Sequence, residues 1–214
     1  MRPIPALAAR RAYRGWAVVI AGSLTLLACG GPAEADRMDV ALVDAGQISA
    51  DGTLAPPEGG GPALTYNPAV APAGARLAVT ADATPNATTV ALQVTGLLPN
   101  RGYAAHVHQL PCGPTGAAAG PHHQHEVDPA AGPEKPSSDP AFANARNEIW
   151  LDLRTDGSGN GAVQAVVPFA LGDRRPASVI VHEAERTATE PGKAGTAGAR
   201  VACLSVPFAQ VTAG

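Results

Sequence analysis

Residues 89–97 alternate clearly, with Val90, Leu92 and Val94 on one parity and Ala91, Gln93 and Thr95 on the other. A period of two is the signature of a half-buried strand, because successive side chains point to opposite faces of a sheet. The run is bounded by turn-forming residues, Thr84-Pro85-Asn86 before it and Pro99-Asn100-Arg101-Gly102 after it. Further short β-like runs lie before it at residues 76–81 and after it at 103–108, 148–153, 161–169, 177–182 and 201–208, with Asp156-Gly157 a strong hairpin signal between two of them. Nothing long carries a helical period. The expected class is therefore all-β, an antiparallel Greek-key β-sandwich or flattened barrel over residues 64–214.

Two connections are too long to be simple turns, residues 109–147 and 183–199. Structureless loops beyond about 15 residues in a compact domain usually carry function. Upstream, residues 29–63 are rich in Gly, Pro, Ala and acidic side chains and read as a flexible tether, with one strand expected near residues 39–48. Residues 1–28 read as an export signal. Arg2, Arg10, Arg11 and Arg14 precede an apolar run that ends in Leu26-Leu27-Ala28-Cys29-Gly30. This resembles a bacterial lipoprotein signal, in which the cysteine is lipidated and becomes the new N-terminus. The expectation is an extracytoplasmic protein anchored to the bacterial cell membrane at Cys29.

Loss of that signal leaves eleven basic against eighteen acidic residues, a formal charge of −7, which argues against a nucleic-acid partner. With Cys29 lipidated, Cys112 and Cys203 remain as an even pair in an exported chain, able to close a loop worth about 4.6 kcal/mol in the chain-entropy model. Whether the domain is single or paired is not legible.

All six histidines fall between positions 106 and 182: His106, His108, His122, His123, His125 and His182. On a strand His106 and His108 share a face roughly 6.6 Å apart, with Val107 turned toward the core. A lone His-x-His serves equally well as a pair of buried, hydrogen-bonded imidazoles. Three or four imidazole nitrogens without thiolate favour copper or zinc.

The stretches Ala105-His106-Val107-His108, Cys112, Gly120-Pro121-His122, Val181-His182-Glu183 and Gly195-Thr196-Ala197-Gly198-Ala199-Arg200-Val201-Ala202-Cys203 together resemble the copper-zinc superoxide dismutases over residues 64–208. The resemblance implies a copper-dependent enzyme that disproportionates superoxide to O2 and H2O2. It makes His106, His108, His122 and His182 the copper ligands, and places His122 where the two-metal enzymes bridge copper to zinc. It also implies a Cys112–Cys203 disulfide and an anion-guiding role for Arg200.

The pattern departs at zinc. The positions at which the family supplies a histidine and an aspartate fall on Asn144 and Asn147, and a neutral amide is a poor zinc ligand. His125 is the spare imidazole that could bind zinc or support a ligand, with Glu126, Asp128 or Glu148 as oxygen donors, and the zinc set stays incomplete. The expectation is copper without zinc. His122 then needs another partner for its second nitrogen, and Glu126 and Glu148 are the candidates. His123 is expected at the surface. Smaller departures are Ala104, Ala105 and Gln109. The alternative reading is a non-catalytic, lipid-anchored copper carrier on the same sandwich.

Overall fold

The computed structural model describes residues 47–132 and 135–208. The expected signal, Cys29 and the first part of the tether lie outside the described residues. Alternation in the sequence becomes one long hairpin. Strand β3 (Arg76–Thr84) and strand β4 (Ala87–Thr95) pair antiparallel along their whole length, closed by Pro85-Asn86. Leu77, Val79, Val90, Leu92 and Val94 are buried on one side.

Strand β1 (Ile48–Thr53) lies on the outer edge of β3, and β8 (Gly161–Val167) on the other side of β4, giving the order β1-β3-β4-β8. A second sheet has the order β2-β10-β9-β6. It is built from β2 (Ala63–Thr65), β6 (Ala105–His108), β9 (Ser178–His182) and β10 (Arg200–Ser205). A small pair joins β5 (Gly102–Tyr103) to β7 (Leu153–Arg154). All these pairings are antiparallel, and neighbours such as β4 and β8 are distant in sequence, so the chain crosses between sheets as a Greek-key sandwich requires.

The expected start of the sandwich at residue 64 is corrected by these pairings. Residues 48–53 form a paired strand, so this part of the presumed tether is sheet. Its sequence, Ile-Ser-Ala-Asp-Gly-Thr, buries only Ile48 and so carries no alternation to read. Gly52 is needed there: a Cβ would come within 2.5 Å of the Ala63 Cβ on β2. The strand expected near residues 39–48 lies almost wholly outside the described residues, of which the first in a strand is Ile48. The run 148–153 also differs, since only Leu153 of it belongs to a named strand; Glu148 and Trp150 make isolated bridges to Gln124 and His106.

The core lies between the two four-stranded sheets. Leu77, Val79, Leu92 and Val94 from one meet Val107, Val179, Val181 and Leu204 from the other. Truncating one of these leucines to alanine costs about 2–5 kcal/mol, through lost transfer energy and the cavity left behind.

Strand β9 is buried on both faces. Its inner residues Val179 and Val181 fill the core, while Ile180 on the outer face packs with Ala119, Cys203, Tyr66 and Cys112 beneath the long 109–147 loop. Cys112 and Cys203 are disulfide-bonded, with Cα atoms 5.8 Å apart. The loop is thereby tied to the outer face of β10, and the functional side chains gather under that cover.

Candidate metal centre

Strand parity assigns the first ligands. His106 and His108 stand on the outer face of β6, opposite Ile180 and Ser178 of β9, and His182 shares the parity of Ile180. His122 arrives from the long loop through an isolated bridge with His108. The four imidazoles converge so that one nitrogen from each lies within 4.8 Å of all the others, and they are the only such group among the described residues.

The environment of each ring selects the nitrogen that faces inward. His106 Nε2 lies 2.6 Å from Thr187 Oγ1, His108 Nδ1 lies 2.9 Å from the Gly120 carbonyl, and His182 Nδ1 lies 3.5 Å from the Gly198 carbonyl. His122 Nδ1 lies 2.8 Å from Glu148 Oε2. The nitrogens left over on the first three, His106 Nδ1, His108 Nε2 and His182 Nε2, are buried and have no hydrogen-bond partner. Unpaired buried polar atoms are costly and rare. Three aimed into one cluster fit a metal ion, each ring held by its other nitrogen in the manner usual for ligating histidines.

Protonation favours the same use. Burial first, and then the neighbouring imidazoles and Arg200, push His106 and His108 well below the ordinary histidine range. Burial, followed by His122, pushes His182 down to about 3. Neutral rings keep the lone pairs that bind metal. Gly120 and Gly198 turn their carbonyls toward His108 and His182 from left-handed backbone, at φ of 69° and 76°, a conformation that glycine adopts without steric cost.

Arg200 reaches this face through a β-bulge. Arg200 pairs with His182 and Ala202 with Val181, so Val201 is an extra residue in the ladder. Val201 and Ala202 both join the core, and the extra residue returns Arg200 to the outer face beside His182. Bulges re-aim side chains in this way. Its Nη1 donates to the Gly116 carbonyl at 2.8 Å, and partial burial lowers its pKa. Arg200, His122, His182 and Glu148 line one cavity of about 620 Å³.

Of the two carboxylates considered for His122, Glu148 is the one in place. It is 2% exposed and accepts from His122 Nδ1, Gln124 Nε2 (2.8 Å) and Trp150 Nε1 (2.7 Å). Glu126 is corrected: it is exposed, and its backbone rather than its carboxylate is held, by the Asn147 amide.

His125 is also corrected. Its ring stacks on Phe169 at 4.5 Å, outside the cluster. His123, expected at the surface, is buried beside Gln109, and burial followed by Arg174 lowers it to about 4. Asn144 and Asn147 spend their amides on loop carbonyls, Asn147 on Glu126 and Phe142 and Asn144 on Pro140 and Ala141. Asp128 is taken up by Ala130 and Ser137. Sequence reasoning missed Gln124, Trp150 and Thr187, whose roles depend on contacts across the loops.

A sequence model of the copper/zinc superoxide dismutase family matches residues 75–206, a span that holds all four clustered histidines, the disulfide and Arg200. Among solved structures, a Cu/Zn superoxide dismutase from Brucella abortus aligns over 61% of this chain and 86% of its own, at 20% identity and a TM-score of 0.45. No curated protein matches the chain in sequence.

Proposed function

Because the chain belongs to the copper/zinc superoxide dismutase family, we propose that it disproportionates superoxide to O2 and H2O2 at a copper held by His106, His108, His122 and His182. The observation that carries this is the set of three orphaned, buried imidazole nitrogens converging with His122 beneath Arg200. Copper bound there would supply the one-electron exchange that two superoxide ions require in turn.

The chain's own groups account for the remainder. Arg200 lines the cavity beside His182 and offers a local cation to an incoming anion, which matters because the exported chain is acidic overall and attraction must act within a Debye length of roughly 8 Å. His122 is the imidazole that also meets a carboxylate. Glu148 meets its Nδ1, which fixes the ring and leaves Nε2 as the nitrogen turned to the cluster and the cavity.

The proposal extends to copper without zinc. Glu148 already takes the second nitrogen of His122, the ring that the resemblance would share with zinc, and the amides of Asn144 and Asn147 are committed to loop carbonyls. We further propose lipid anchoring at Cys29 on the extracytoplasmic side, supported by the signal-like residues 1–28 and by the disulfide, which an oxidising compartment sustains. A Cys29→Ser chain should leave the membrane fraction; one that stays attached would contradict the anchor.

Arg200 separates an enzyme from a carrier, which has no need of an anion guide. Replacing Arg200 with Gln should slow superoxide decay in pulse radiolysis at least tenfold, the loss of about 1.4 kcal/mol of guidance, with copper still bound. Copper-loaded protein that leaves superoxide decay at the spontaneous rate would mark a carrier instead.

A further inference from the structure

The residues 148–152 alternate in a way the metal centre has only half used. Ile149 and Leu151 are buried in the core, while Glu148, Trp150 and Asp152 take the other parity. Glu148 serves His122. Asp152, four residues on, meets the loop between β9 and β10 instead. Its Oδ2 accepts from the Thr187 backbone N–H at 2.7 Å, and its Oδ1 lies 2.7 Å from Thr187 Oγ1 and 3.3 Å from the Ala105 backbone nitrogen. Thr187, almost fully buried, in turn lies 2.6 Å from His106 Nε2.

Donor counting fixes the direction of this chain. A threonine hydroxyl has one proton. Both Asp152 oxygens already face backbone N–H donors, so the hydroxyl proton goes to Asp152 and Thr187 is left with lone pairs toward His106. The imidazole must therefore donate from Nε2, and a neutral ring protonated there carries its free lone pair on Nδ1, the orphaned atom that faces the cluster.

We propose that Thr187, oriented by Asp152, is a positioning residue that locks His106 as the Nε2–H tautomer and thereby presents Nδ1 to the metal. The consequence for the metal rests on the copper reading above; the tautomer does not. One extended segment then sets two ligands, His122 directly through Glu148 and His106 through the Asp152–Thr187 relay. The loop between β9 and β10 is docked by the same bonds.

The test is long-range ¹H–¹⁵N NMR of the metal-free protein, with copper affinity and Cu(II) electron paramagnetic resonance of the loaded form. The wild-type chain should show His106 protonated at Nε2. Thr187→Ser, which keeps the hydroxyl, should retain that tautomer and the wild-type copper spectrum. Thr187→Val should lose it, weaken copper binding by about 10- to 100-fold and alter the spectrum. His106 protonated at Nδ1 in the wild type would overturn the relay, as would a Val variant with unchanged tautomer, affinity and spectrum. If Val does not fold, the wild-type tautomer alone decides. An Nε2–H His106 in a chain that binds no copper would uphold the relay and instead sink the copper reading.

Discussion

At the residue scale, Glu148 concentrates more of the site than any other side chain. Three donors end on it, from Gln124, which is buried, and from His122 and Trp150, which are half-buried. Glu148→Ala leaves all three without a partner, and each stranded group costs about 1–3 kcal/mol. The metal-free variant should therefore unfold in urea with at least about 3 kcal/mol less stability; a loss under 1 kcal/mol would mean that water replaces the carboxylate and that the cluster's geometry does not depend on it. The sequence narrowed the partner of His122 to Glu126 or Glu148 but could not choose between them, because both lie in loops whose contacts are long-range. The histidines behaved similarly. His106, His108, His122 and His182 were legible through the family resemblance, whose motifs match in order, spacing and flanking glycines. His123 and His125 were not, and the cause is parity: His122 and Gln124 face Glu148, which turns His123 under Gln109 and His125 onto Phe169.

At the element scale, the turn between β7 and β8 gives a pH test. Asp156 Oδ1 accepts from the Ser158 and Asn160 backbone N–H groups at 2.8 and 2.9 Å. Those bonds, Asn160 first, hold its carboxyl below the ordinary carboxylate range. A lowered folded-state pKa means that the unfolded chain binds the proton more readily. Stability is therefore fully present above the ordinary range, near pH 4, and lost as pH falls through the lower folded value. Urea midpoints measured down to pH 2.5 should fall less steeply for Asp156→Asn, which keeps an acceptor but cannot titrate there; an unchanged acid limb would remove Asp156 from the account. Strand β4 and its hairpin were legible because half-buried alternation is a strong signal. Strand β1 was not, since an edge strand burying a single residue has no pattern, and its place is decided by β3. The bulge at Val201 was equally hidden. It exists only relative to β9, yet it decides which face Arg200 occupies.

At the scale of the whole molecule, a sandwich whose two long loops close over one outer sheet face supplies a rigid floor, a disulfide tie and four convergent imidazoles. The family of the chain places copper and zinc side by side in its name, whereas this chain offers one cluster among its described residues and sets a carboxylate at the bridging ring. The central claim is that the site works with copper alone. Its most direct test is to reconstitute the metal-free, disulfide-bonded protein with equimolar copper and zinc, remove loosely bound ions, and measure metal content and superoxide removal on the same sample. We expect about one copper per chain, zinc far below stoichiometric, and full activity without added zinc. Stoichiometric zinc retained beside copper, with activity that depends on it, would contradict the account.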